Sequence, residues 1–175
     1  KTVHMGSAAL GVLETVHVRH GDAVYKGQTI AQLESEADSA ATELARFKAE
    51  MTTPITAAQK KVDFTERKFR RRQEMFAENF MSQQDVDQAE NEFNLATSEL
   101  KLAKENRELA KLEYQQQKSR LKLRSIESPF DGVVVEQNIF AGEVVQPGGR
   151  DLSILTLAQL NPLRVLVTMP LSAFG

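Results

Sequence analysis

Three histidines, His4, His17 and His20, lie near the start of the chain, and imidazole is the side chain that binds metals and moves protons near neutral pH. His17 and His20 are three apart in a segment that reads as a strand entering a turn, so alternation sends them to opposite faces. That spacing disfavours a metal site. The absence of cysteine excludes thiolate-metal and disulfide frameworks and fits a cytosolic or a periplasmic address equally. Five methionines are scattered and make no thioether cluster of the kind a copper carrier needs. There is no G-x-S-x-G, no phosphate-cradling glycine loop, and no histidine beside a nucleophile and an orienting acid. Carboxylates are plentiful but fall at helix-surface spacings. The expectation is no catalytic residue, no metal and no cofactor.

Two groups remain whose chemistry is contact. Arg67, Lys68, Arg70, Arg71 and Arg72 form a basic run with Phe69 as its only interleaved aromatic, and the whole chain carries a formal charge of −2. Nucleic acid is therefore not an expected partner, and a solvated charged face explains the run. Met75, Phe76, Phe80 and Met81 form an apolar cluster. It either packs across a turn or is a docking surface, since a monomer gains nothing by exposing it.

The elements that carry these groups follow from glycine placement. All nine glycines lie at or before Gly27 or at or after Gly132, and the 104 residues between contain one proline, Pro54. Glycine costs about 1 kcal/mol in a helix interior, so a glycine-free block rich in Ala, Glu, Lys, Leu and Gln reads as helix. Steps of four and three pick out Ala37, Ala41, Leu44, Lys48, Met51, Ile55, Ala58, Val62, Thr65, Phe69 and Arg72 in its first half. In the second half they pick out Val86, Ala89, Phe93, Ala96, Leu100, Ala103, Arg107, Ala110 and Tyr114. This is a coiled-coil seam with polar breaks at Lys48, Arg72 and Arg107. The turn is placed at Asn79–Asp85: Asn79 tolerates the left-handed conformation, and Ser82 with Asp85 three residues on resembles a capping box. The block predicts two antiparallel helices of about 40 residues, each roughly 60 Å long, with Pro54 kinking or interrupting the first.

The flanks repeat each other. Gly11, Gly21 and Gly27 match Gly132, Gly142 and Gly148 at a constant offset of 121, with Val12 on Val133, Val18 on Ile139, Asp22 on Glu143 and Val24 on Val145. Each copy runs on into an apolar stretch, Thr29–Leu33 and Leu152–Leu155. Short strands and glycine turns are what each encodes. About 25 residues cannot bury a core alone, so the copies must close on one another. Hydrophobic residues at 41 % and charged residues at 26 % describe an ordinary folded chain, and no run of eighteen apolar residues could span a bilayer as a helix. The opening residues lack the apolar stretch of a signal peptide. The tail, Leu163–Pro170, alternates like a strand and predicts a further β domain.

Val16-His17-Val18-Arg19-His20-Gly21-Asp22-Ala23-Val24-Tyr25-Lys26-Gly27-Gln28 and Ile126-Glu127-Ser128-Pro129-Phe130-Asp131-Gly132-Val133-Val134 resemble the two half-motifs of the lipoyl-like domain in membrane fusion proteins, with Ser128 where the family typically has Ala. The resemblance implies an α+β fold: a lipoyl-like, barrel-sandwich hybrid β domain (1–34 and 126–160) interrupted by an α-helical hairpin (35–125, tip near 78–83), then the beginning of a β-barrel domain (161–175). It implies a periplasmic adaptor, attached to the inner membrane, that links an exporter of the resistance-nodulation-division or ABC type to an outer-membrane channel. Self-assembly into a hexameric ring is implied as well. Adaptors of this kind share Arg, Leu and Ser at the tip; here those positions are Arg71, Met75 and Ser82. With Phe76 and Phe80 they make the expected channel-docking site. A lipoyl or biotinyl carrier domain and a coiled-coil scaffold without an export role are the alternatives. A carrier would hold a modified Lys at the turn between its halves, where the 104-residue block stands instead.

Overall fold

The structure, a computed structural model, describes residues 2–148 and 153–160. The expected strand at Leu163–Pro170 and the expected β-barrel start at 161–175 lie outside the described residues. The chain forms two compact units, one from its two ends (1–37 and 119–175) and one from residues 38–118.

The first unit is a pair of four-stranded sheets. Its strands are β1 (Thr2–Met5), β2 (Gly11–Val16), β3 (Ala23–Val24), β4 (Thr29–Leu33), β5 (Ser125–Glu127), β6 (Gly132–Gln137), β7 (Val144–Val145) and β8 (Leu155–Ala158). One sheet runs β1-β8-β6-β3 and the other β5-β4-β2-β7. Exchanging β1 to β4 for β5 to β8 turns one order into the other, so each sheet takes two strands from each copy. The bonds obey the same exchange. The Gly21 amide donates to the Val134 carbonyl (2.8 Å) and the Gly142 amide to that of Leu13 (2.7 Å), while the Val134 and Leu13 amides donate to the carbonyls of Asp22 (2.9 Å) and Glu143 (2.8 Å). Gly21 and Gly142 adopt φ of 92° and 94°, a region glycine enters without the Cβ penalty. Behind each, the carboxylates of Asp22 and Glu143 accept from the amides of Arg19 and Phe140, three residues earlier.

The repeated positions fill one core. Leu13 and Val134 are fully buried, as are Val24 and Val145 to within 2 %, together with Ile30, Leu33, Ile154, Leu155 and Leu157. Removing each such side chain from water contributes about 1.5–3 kcal/mol. Neither copy presents enough apolar surface alone, which is why the strands interleave. The repeat breaks down at its end: the offset would place the partner of β4 at 150–154, but the strand there is Leu155–Ala158.

The second unit contains most of α1 (Glu36–Glu50), all of α2 (Thr53–Ala77), and most of α3 (Gln83–Lys122). Pro54 does more than kink the first arm. Met51 and Thr52 leave the helix, and α2 restarts with Pro54 in its first turn, where a missing amide costs nothing. The expected seam holds in α2 and α3, with Thr65, Val86, Ala89, Ala96 and Leu100 buried. In α1 it is off by one. The buried residues are Asp38, Thr42, Ala45 and Ala49, whereas the expected Leu44 and Met51 are 57 % and 43 % exposed. Stepping back by threes and fours from Ile55 assumes an unbroken helix, and the interruption shifts the phase by one residue. The buried hydroxyls are satisfied within the helices: Thr42 donates to the Asp38 carbonyl and Thr65 to those of Lys61 and Val62.

Candidate docking site at the hairpin tip

The chain reverses between Ala77 and Gln83 through two caps in series. Helix α2 ends with the Phe80 amide on the Met75 carbonyl (2.9 Å) and the Asn79 amide on the Phe76 carbonyl (2.9 Å). This is the Schellman pattern, closed by Asn79 at φ 63°, since Asn is the residue besides glycine that most readily serves there. Helix α3 opens on Ser82 and Asp85. The Asp85 amide donates to Ser82 Oγ (3.3 Å), the Ser82 amide donates to Asp85 Oδ2 (3.3 Å), and the Ser82 hydroxyl reaches the same oxygen at 2.6 Å. Those side-chain and backbone bonds from Ser82 hold the Asp85 carboxyl below its ordinary range, with Arg72 adding to the effect.

Two tight caps leave the residues between them with nowhere to bury. Phe80 is 74 % exposed and Phe76 41 %, so neither is closed over by the turn, while Met75 and Met81 are half-buried. Arg71 and Ser82 are exposed. Arg71 and Met75 share a groove of about 390 Å³ with Phe64, Lys68, Arg72 and Met81. Phe76, Phe80 and Ser82 lie outside that groove's lining.

The basic run resolves into separate pairs. Lys68 binds Glu92 across the hairpin (2.6 Å), Arg70 binds Glu66 one turn back (2.6 Å), and Arg72 crosses to Asp85 (3.6 Å) and to the Met81 sulfur (3.5 Å). Lys68 likewise holds the Glu92 carboxyl below its ordinary range. Arg72 was legible only as a flaw in the seam. Counting outward from the turn would not have found its pairing, because 61 and 99 or 68 and 92 lie equally far from residue 80 but 72 and 85 do not. Arg107, the other flaw in the seam, donates to the Ala49 carbonyl (3.3 Å), a group near the end of α1 that the interruption leaves without a helical amide. His17 and His20 join no group of metal-binding side chains among the described residues.

A profile of the CzcB-like barrel-sandwich hybrid domain matches residues 1–159. The cobalt-zinc-cadmium resistance protein CzcB of Cupriavidus metallidurans is 27 % identical over 161 residues, covering 92 % of this chain and 28 % of that protein. The cation efflux system protein CzcB of an Alcaligenes species is 26 % identical over the same length and coverage. The chain thus spans 28 % of the length of these curated relatives. Among solved structures, MacA from Actinobacillus actinomycetemcomitans superposes with a TM-score of 0.82 at 22 % identity, over 91 % of this chain and 50 % of that one; this likeness concerns the fold. With the profile spanning nearly the whole chain and the two half-motifs exchanging strands around an intervening hairpin, the protein belongs to the CzcB-like barrel-sandwich hybrid family of membrane fusion, or periplasmic adaptor, proteins.

Proposed function

We propose that the chain is the central part of a periplasmic adaptor, held at the inner membrane, whose hairpin tip docks end-on against an outer-membrane channel. Its inner-membrane partner is a resistance-nodulation-division or ABC exporter, and adaptors assemble around it as a ring, six-fold by resemblance. The protein makes and breaks no bonds; it acts through reach and contact. The name of the Cupriavidus relative, a cobalt-zinc-cadmium resistance protein, supports such metal ions as the cargo of the assembled pump, and that of the Alcaligenes relative, a cation efflux system protein, supports cations more broadly.

The observation that carries the docking part is Phe80, 74 % exposed between two satisfied caps. The turn is already closed by hydrogen bonds, so folding does not call for a phenyl group there. A partner that covers it would gain about 1.5–3 kcal/mol per ring buried. Arg71 and Ser82 add polar contacts that would fix the register. The test is export by the full-length protein in a host lacking its own copy, with cellular zinc, cobalt and cadmium as readout. Phe80→Asp should raise metal accumulation to the level of the deletion strain while protein abundance stays at wild type. Unchanged export with Phe80→Asp would remove the docking role from the tip.

A further inference from the structure

Four alanines stand seven residues apart on the seam of α3, and they are not buried alike. Ala89 and Ala96 are 2 % and 0 % exposed, whereas Ala103 and Ala110 are only half-buried. The difference lies in what stands opposite. Ala103 and Ala110 share a cavity of about 290 Å³ with Met51, Pro54, Ile55 and Leu102, at the height where the first arm is interrupted. Met51 has left the helix and Leu102 flanks the seam. These two large side chains, one from each arm, therefore stay 43 % and 57 % exposed. A well-packed seam leaves few voids larger than a water molecule, and this one is close to the lower end of small-molecule sites, about 300 Å³.

The charged groups of the lining leave a positive excess. Glu99 is taken by Lys61 at 2.6 Å. Lys48 reaches Glu113 only at 3.8 Å, with both side chains nearly half exposed, a pairing too weak to occupy the ammonium. Arg107 gives its Nε to the Ala49 carbonyl, which fixes the guanidinium plane and leaves its two Nη groups to the cavity. We infer that the cavity binds a small amphipathic anion, a monocarboxylate with a short aliphatic chain. Its carboxylate sits on the Nη groups of Arg107, with Lys48 in the same lining, and its chain lies along Met51, Ile55, Leu102 and Ala103. A guanidinium takes a carboxylate through two parallel N–H···O bonds. A cationic amphiphile meets like charge at Lys48 and Arg107, and a neutral one leaves the Nη groups unused. The ligand's chain fills the place that a continuous first helix would fill with side chains, so binding holds the two arms together at the interruption.

The site does not depend on the adaptor reading, and it is tested on the purified protein without any channel or exporter. The probe is octanoate, with octanamide and octylamine as neutral and cationic counterparts of the same chain length. Calorimetric titration should give octanoate a Kd below about 1 mM and each counterpart a Kd at least about tenfold higher. With octanoate bound, hydrogen exchange resolved by peptide should slow at 51–57 and 102–110 and hold at the tip. Ala103→Phe fills the cavity and should abolish binding. Leu102→Ala removes an exposed side chain from the lining and should weaken octanoate at least about threefold. Leu95→Ala, at a leucine 60 % exposed outside the lining, should leave the affinity unchanged. Circular dichroism reports whether each variant keeps its helix, and should Ala103→Phe lose it, the two leucine variants carry the comparison. No binding of octanoate, equal binding of octanamide, or an affinity that Leu102→Ala leaves at the wild-type value overturns the inference. Export defects at Phe80 bear on the tip alone, so the two readings fail separately.

Discussion

Gly11 and Gly132 occupy the same place in the two copies, yet adding a methyl group to each should cost very different amounts. A Cβ on Gly132 would stand 2.5 Å from the Ala158 carbonyl oxygen, 3.2 Å from its carbon and 3.0 Å from the Phe130 ring. The obstacle is main chain. Ala158 closes the β6–β8 ladder beside Val133, and β8 is held on its other edge by β1, with Leu155 and Leu157 fully buried. To make room the strand must retreat, and overpacking of this kind costs about 1–3 kcal/mol. A Cβ on Gly11 would meet the Arg124 guanidinium at 2.8 Å and Leu33 only at 3.6 Å or more. The guanidinium can swing away, giving up its 2.8 Å bond to the Leu10 carbonyl, worth about 0.5–1.5 kcal/mol. Alanine repays about 0.4–1 kcal/mol by restricting the unfolded chain. Gly11→Ala should then be close to neutral, and Gly132→Ala should destabilise the β unit by about 1–2 kcal/mol. For a unit of this size that lowers its midpoint by about 4–16 °C. Calorimetry gives the shift, and hydrogen exchange resolved by peptide assigns it: protection should fall in β6 and β8 and hold in α3. Equal effects at the two glycines would refute the reasoning, because they would mean that the Ala158 carbonyl does not confine the site.

Two further outcomes follow from the hairpin. The Asp85 carboxyl titrates below its ordinary range because Ser82 donates to it. A depressed folded-state pKa contributes stability above the unfolded-state pKa and loses it as pH falls through the folded one. Amide exchange at the start of α3 should therefore accelerate as pH drops below the usual carboxylate range, after correction for intrinsic rates, and Ser82→Ala should remove most of that dependence. Arg107→Met keeps the length of the side chain but withdraws the donor from the Ala49 carbonyl, and should cost about 1–2 kcal/mol. The loss should appear as faster exchange at Met51–Ala57, with α3 beyond Ala110 unaffected; uniform exchange along both arms would contradict a local role.

What the sequence revealed and what it hid have physical causes. The repeat was legible because Gly21 and Gly142 must take positive φ and Val24 and Val145 must face one core; the matched Val12 and Val133 are only half-buried, and the core positions are their neighbours Leu13 and Val134. Such requirements restrict residue type at single positions. The turn was legible for the same reason, through Asn79 and the Ser82–Asp85 pair. Period alone was a weaker guide. It carried the seam through α2 and α3 but could not register the one-residue phase shift at Met51–Thr52, so Leu44 was assigned to the seam while Asp38 and Thr42 were overlooked. Arg72 and Arg107 looked like defects because a seam pattern counts apolar residues and is blind to the carbonyl or carboxylate across the way. The ends of β8 depend on pairing with β1 and β6, which is long-range information that no local pattern holds. At the tip, the residue types alone left open whether Phe80 packs across the turn; the structure exposes it between the two caps and adds the groove that joins Phe64 to Arg71 and Met75.

The absence of cysteine makes the central claim directly measurable. In full-length protein returned to its native cell, a single cysteine replaces Ser82 at the tip or, as control, Ala58 midway along α2. Cells are treated with a short thiol-to-amine crosslinker and the adducts identified by mass spectrometry. The adaptor account predicts an outer-membrane channel captured from position 82 and not from position 58. Capture of the channel equally from both positions, or of nothing but further copies of the adaptor from position 82 in cells that express the channel, would contradict it.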